Sequence, residues 1–205
     1  MGGVLINGTR VIYSEADKSG RISIENPEKS RAYLIQSWVD DGNSNHHQKT
    51  FIITPPLLRM DAGDKTELKI IRVANLPEDR ESLLWLNVRA IPSVTKGNSN
   101  SLQIAVKSRM KLFYRPLGIP ESPVESYKKL AVSYKNGGLE VNNPTPFHIV
   151  FYSFAVDGKE IKEADVVNPF STIKYALKNN SHPKNVSWRL IDDFGTVTDG
   201  ERQKL

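Results

Sequence analysis

The sequence predicts an all-β chain folded as two consecutive immunoglobulin-like β-sandwiches. Three features carry that prediction: apolar residues recur at every second position in short runs, no stretch sustains a 3.6-residue apolar period, and one proline-rich segment divides the runs. A strand with one apolar face has to bury it against a second sheet, so a series of half-apolar strands resolves into packed pairs of sheets.

In the first half, alternating runs occupy residues 4–13, 21–25, 32–39, 50–54, 66–73 and 83–91. Turn formers separate them: Asn26-Pro27, Asp41-Gly42-Asn43, Pro55-Pro56, Asp61-Ala62-Gly63-Asp64 and Gly97-Asn98-Ser99-Asn100. The seventh run, residues 102–114, is the most informative. Leu102, Ile104, Val106, Met110, Leu112 and Tyr114 share one parity, while Lys107, Arg109 and Lys111 share the other. The run is far longer than the usual strand of about five or six residues. A long apolar stripe backed by a row of cations calls for a partner.

Residues 115–126 carry three prolines and one glycine, which suits a stiff, irregular connector. A boundary there gives one domain at 1–118 and a second at 119–205. In the second, runs at 130–134, 139–141, 147–154, 171–177 and 186–191 alternate with the turns Lys135-Asn136-Gly137-Gly138 and Asp157-Gly158. Asn26-Pro27 and Asn143-Pro144 each end a strand in the same way, an echo between the halves.

With 205 residues, 39% hydrophobic and 25% charged, the chain has enough apolar material for one large core or two small ones. Cysteine is absent, so the fold is held by packing and no thiolate chemistry is available. No window holds eighteen consecutive apolar residues, and Met1-Gly2-Gly3 opens without a basic segment and apolar run, so neither a membrane span nor a signal peptide is expected. The net charge of +5 favours anionic partners, but the cations are scattered.

Catalysis finds no footing. His46-His47 lies in a polar stretch without other ligands at metal-binding spacing, and His148 and His182 are isolated from any nucleophile signature. No glycine loop carries the lysine and hydroxyl that cradle phosphate, and the row Lys107, Arg109, Lys111 lacks interleaved aromatics for stacking nucleic acid. Asp40-Asp41 and Asp192-Asp193 are adjacent in sequence, which on a strand sends the two carboxylates to opposite faces. The sequence therefore predicts no enzymatic activity, cofactor, metal or nucleic acid.

Several blocks in order resemble the pilus (fimbrial) chaperones of the bacterial chaperone-usher pathway: Thr9-Arg10-Val11-Ile12-Tyr13, Tyr33-Leu34-Ile35-Gln36-Ser37-Trp38, Phe51-Ile52-Ile53-Thr54-Pro55-Pro56-Leu57, Asp79-Arg80-Glu81-Ser82-Leu83-Leu84-Trp85-Leu86-Asn87, Ala90-Ile91-Pro92 and Arg109-Met110-Lys111-Leu112-Phe113-Tyr114-Arg115-Pro116. Asn143-Pro144-Thr145-Pro146, Asn168-Pro169-Phe170 and Ile191-Asp192-Asp193-Phe194-Gly195 extend it through the second half. The short segment between Ile91 and Leu102 and the lack of cysteine resemble the short-loop branch.

The resemblance implies a boomerang of two immunoglobulin-like domains. It implies a mature periplasmic protein that completes the sandwich of an unfinished pilus subunit with its own strand and passes it to the outer-membrane usher. Leu102, Ile104 and Val106 would fill the subunit's groove, a gross gain of about 5–9 kcal/mol at roughly 1.5–3 kcal/mol per aliphatic side chain. Arg10 and Lys111 match the family's cations that grip the subunit's C-terminal carboxylate. Lys111 has the opposite parity to the groove-filling residues, which asks for a bulge, a twist, or a cleft bordering both faces. Glu81, Arg115 and Asp193 match the charged contact between the domains. An idle donor strand is a sticky edge, so self-capping as a homodimer is a further expectation. The competing reading is an extracellular two-domain adhesive or receptor module, with ligand held by loops such as residues 40–49.

Overall fold

The computed structural model describes residues 3–17, 19–42, 50–93, 104–119, 122–177 and 182–205. Two compact units emerge from its internal contacts: Met1–Pro77 with Ser82–Arg115, and Glu78–Glu81 with Pro116–Leu205.

The first unit contains β1 (Leu5–Ile6), β2 (Arg10–Ser14), β3 (Gly20–Glu25), β4 (Tyr33–Asp40), β5 (Phe51–Thr54), β6 (Leu57–Met60), β7 (Lys65–Arg72), β8 (Ser82–Pro92) and β9 (Val106–Arg115). They form two sheets, ordered β1-β3-β7-β5 and β2-β9-β8-β4-β6. Alternation drives the packing: Ile22 and Ile24 from β3, Leu68 and Ile70 from β7, Leu84 and Leu86 from β8, and Leu112 and Tyr114 from β9 all enter one core. The parallel pair β2/β9 is the exception to an otherwise antiparallel ladder.

Two features of this unit differ from the sequence pattern. The run at 4–13 is two strands, one in each sheet: β1 pairs with β3, and β2 pairs with β9. Gly8, at φ +102°, supplies the backbone conformation at the crossing, which an L side chain rarely adopts. Strand β6 follows the Thr54–Pro55 cis peptide and pairs with β4. Its Arg59 and exposed Leu57 hide the alternation that marks its neighbours.

The second unit contains a short helix α1 (Pro123–Tyr127), then β10 (Ala131–Lys135), β11 (Gly138–Asn143), β12 (Ile149–Val156), β13 (Lys159–Glu160), β14 (Val166–Val167), β15 (Ser171–Ala176), β16 (Asn185–Leu190) and β17 (Glu201–Lys204). One sheet runs β10-β11-β15 and the other β13-β12-β16-β17, with β14 also on β12. Leu139, Val141, Ile149, Phe154, Val186 and Trp188 are among the side chains that build a separate core. Helix α1 lies where the prolines suggested only a connector. Ser122 caps it, accepting from Glu125 N–H at 3.3 Å, and Pro123 takes the first turn, where its missing N–H costs nothing.

The asparagine echo has a physical basis. Asn26 is fully buried, and its amide donates to the carbonyls of Arg31 at 2.8 Å and Asp61 at 2.9 Å while Oδ1 accepts from Glu28 N–H. Asn143, also fully buried, donates to Phe147 at 2.7 Å and Asn168 at 3.0 Å while Oδ1 accepts from Thr145 N–H. Each amide ties a turn to a distant strand end, satisfying carbonyls that would otherwise be buried unpaired.

Candidate functional site

Strand β9 is central at one end and open at the other. Its pairing with β8 runs from Ser82↔Tyr114 to Ala90↔Val106 without a register shift, whereas β2 covers it only from Lys111 to Arg115. Among the described residues, nothing pairs with residues 106–110 on the β2 side. Within the described residues that side of the stretch is a strand edge.

The apolar stripe changes character along the same strand. Met110, Leu112 and Tyr114 are in the core, but Val106 is 50% exposed and Ile104, just ahead of the strand, is 67% exposed. Val106 also borders a recess of about 240 Å³ lined by Val4, Leu5, Ile6, Val88 and Ala90. Leu102 lies outside the described residues, as do His46-His47, most of the loop at 40–49 and the glycine loop at 97–100.

Arg10 and Lys111 come together. They are register partners across β2 and β9, so their side chains leave the same face of the sheet. That face is opposite to the one occupied by Val106, Met110 and Leu112. No bulge in β9 reconciles the two sets, because the ladder with β8 is continuous. The cations instead stand at the point where β2 begins, beside the lane left open next to residues 106–110. A strand entering that lane with its carboxyl end toward Arg10 would run parallel to β9, collinear with β2. Its side chains would be met from one face and its terminus from the other.

The surrounding face combines cations and aromatics. Lys107 Nζ lies 5.0 Å from the ring centre of Trp38, and Arg109 Cζ lies 4.2 Å from that of Trp85. Asp40 is almost buried and accepts from Arg109 at 3.0 Å, Asn87 at 2.7 Å and Gly42 N–H at 2.9 Å. In the sequence Asp40 stands out only as a neighbour of Asp41, and Trp85 and Asn87 only as members of one block; their convergence depends on the register of β4 with β8, which no local pattern encodes.

Arg115 ends β9, and Asp193 follows Asp192, whose Oδ1 holds the turn by accepting from Phe194 and Thr196 N–H. Glu81 belongs to the second unit, where its carboxylate accepts from the His148 backbone N–H at 2.9 Å and lies 3.4 Å from Nδ1 of the His148 ring. His148, isolated in the sequence, is thus a buried partner of this carboxylate. His182 packs edge-on against Tyr134.

Residues 3–120 match a family model described as pili and flagellar-assembly chaperone, PapD N-terminal domain, and residues 125–202 match pili assembly chaperone PapD, C-terminal domain. The chain belongs to the PapD family of pilus-assembly chaperones. This PapD-family chain is 37% identical over 210 residues to chaperone protein LpfB of Salmonella typhimurium strain LT2, covering 100% of the chain and 90% of LpfB. A chain of the Salmonella enterica SafA pilin–SafB chaperone complex superposes with a TM-score of 0.88 at 30% identity, covering 100% of this chain and 97% of that one. The periplasmic chaperone SfaE superposes with a TM-score of 0.82 at 33% identity, covering 98% of each chain. The two-domain, nearly all-β architecture is that of the family. Among the described residues, no helix is long and apolar enough to cross a membrane.

Proposed function

We propose that this chain is a periplasmic chaperone that folds and caps pilus subunits by lending them the open end of β9, and then delivers them to the outer-membrane usher. The observation that carries the reading is the edge at residues 106–110, with Ile104 and Val106 exposed where it begins and the register pair Arg10 and Lys111 at its end. Main-chain hydrogen bonds along the edge set the register of a guest strand. The exposed side chains fill the guest's groove, with Leu102 continuing the stripe.

A C-terminal carboxylate is the one anionic group that every subunit strand ends on, and two cations beside the lane would grip it and fix where the strand stops. By the likeness to the family, Glu81, Arg115 and Asp193 supply the charged contact that sets the angle between the domains. Replacing Arg115 with Ala would then lower subunit recovery without unfolding either domain.

The test is co-expression with a pilus subunit and co-purification from the periplasm. Arg10→Ala and Lys111→Ala should each cost about 3–5 kcal/mol of binding where the anchor is sheltered, enough to abolish recovery of soluble subunit from a folded chaperone. Undiminished recovery in both variants would remove the carboxylate anchor from the mechanism.

A further inference from the structure

Both cations of the proposed anchor rest on aromatic rings of their own sheet. Arg10 Cζ lies 5.7 Å from the ring centre of Phe113, and Lys111 Nζ lies 5.2 Å from that of Trp85. Trp85 is itself held in place. The Arg109 guanidinium stacks on the same indole at 4.2 Å while ion-paired with Asp40 at 3.0 Å, and Asn87 donates to the other Asp40 oxygen at 2.7 Å. Gly42 closes against the indole edge: a Cβ there would sit 3.1 Å from Nε1. In register, Arg10, Lys111, Trp85 and Asp40 form one row across four adjacent strands.

We propose that Trp85 is a positioning residue for carboxylate recognition, its indole fixed by Arg109 and Asp40 so that it seats the Lys111 ammonium where a guest terminus arrives. The inference rests on the carboxylate-anchor reading above. A lysine ammonium is a strongly hydrated charge on a flexible four-carbon stem, so confining it before binding removes a cost that would otherwise fall on the complex. A ring face attracts an ammonium through its charge and not through its N–H donors, so such a contact is compatible with carboxylate binding. Phe113 offers Arg10 the same support. Arg109 has a different part: its charge is offset by Asp40, so it serves as the clasp over the indole.

The probes are two fluorescein-labelled peptides of alternating valine and serine, identical except that one ends in a free carboxylate and the other in an amide. The quantity read is the ratio of their dissociation constants. Wild type should prefer the carboxylate, and Trp85→Leu should reduce that preference by about three- to tenfold, in line with a cation–π contact. Trp85→Phe, which keeps a ring face, should recover most of it. A Trp85→Leu variant that weakens both peptides equally leaves the ratio unchanged and overturns the proposal, as does a variant with wild-type preference.

Arg10→Ala and Lys111→Ala separate the two levels of inference. If both retain the wild-type preference, the anchor reading fails and the role of Trp85 fails with it. If they lose the preference while Trp85→Leu keeps it, only the role of Trp85 is overturned. Should Trp85→Leu not fold, wild type still decides: ring current from the indole should shift the Lys111 Cε protons upfield of the value of a lysine with no ring beside it, and ordinary shifts there would overturn the proposal.

Discussion

Three donors converge on the almost buried carboxylate of Asp40, and they decide its protonation. Burial pushes this carboxyl up, but the Gly42 N–H, the Asn87 amide and the Arg109 guanidinium more than offset that and hold it below the usual aspartate range. A folded-state pKa below the unfolded value of about 3.9 gives stability that is complete above the unfolded value and is lost as pH falls through the folded one. Wild type should therefore melt above Asp40→Asn at neutral pH, with the gap closing below about pH 4. A gap constant down to strongly acid pH would show that the charge of Asp40 is irrelevant. The buried asparagines give a second prediction. Asn143→Asp would set an anionic acceptor against carbonyl oxygens now reached at 2.7 and 3.0 Å, destabilising the second unit by on the order of 2–4 kcal/mol. Asn26→Asp should do the same to the first, each read from amide exchange in its own unit. The Asn-Pro echo was visible in the sequence. Its cause was not, because the Asn26 amide meets carbonyls 34 and 35 positions away, a proximity created by the fold.

At the level of elements, β9 shows why period-two patterns locate strands better than they assign faces to partners. The parity of Met110, Leu112 and Tyr114 with Val106 and Ile104 was legible, and the four of them within β9 share a face. Where the chaperone's own core stops along that face was not legible, because it depends on how far β2 and the second sheet extend. This division predicts opposite outcomes for substitutions only three or four pleat repeats apart. Leu112→Ala empties a fully buried site and should cost about 2–5 kcal/mol of stability, seen as a lower denaturation midpoint. Ile104→Ser with Val106→Ser alters side chains that are already half in water, so the midpoint should hold while subunit recovery in co-purification falls. A matching loss of stability in the double variant would place these residues in the chaperone's own core. Helix α1 is obscured for another reason: three prolines give its segment the composition of a connector, although Ser122 and Glu125, three residues apart with Pro123 between them, carry a helix start signal.

At the scale of the whole molecule, the two cores were foreseeable from the two sets of alternating runs, but the membership of each unit was not. The second unit is not simply the C-terminal part of the chain, because Glu78–Glu81 belongs to it. Glu81 N–H donates to the Pro146 carbonyl at 2.9 Å, its carboxylate accepts from His148 N–H, and the Arg80 guanidinium lies 5.0 Å over the Phe170 ring. Gly118 lies so close to the Glu78 carbonyl that a Cβ would come within 2.8 Å of its oxygen. Four residues that precede β8 in sequence thus complete a sandwich that begins after β9. Glu81→Ala leaves the His148 N–H without its acceptor inside the second unit, which should cost that unit about 1–3 kcal/mol. Native-state hydrogen exchange can locate the effect: faster exchange should appear in β11 and β12, with β4 and β8 unaffected. Acceleration confined to the first unit would mean that Glu81 stabilises the domain whose sequence it adjoins, and that the short crossing segment is only a tether.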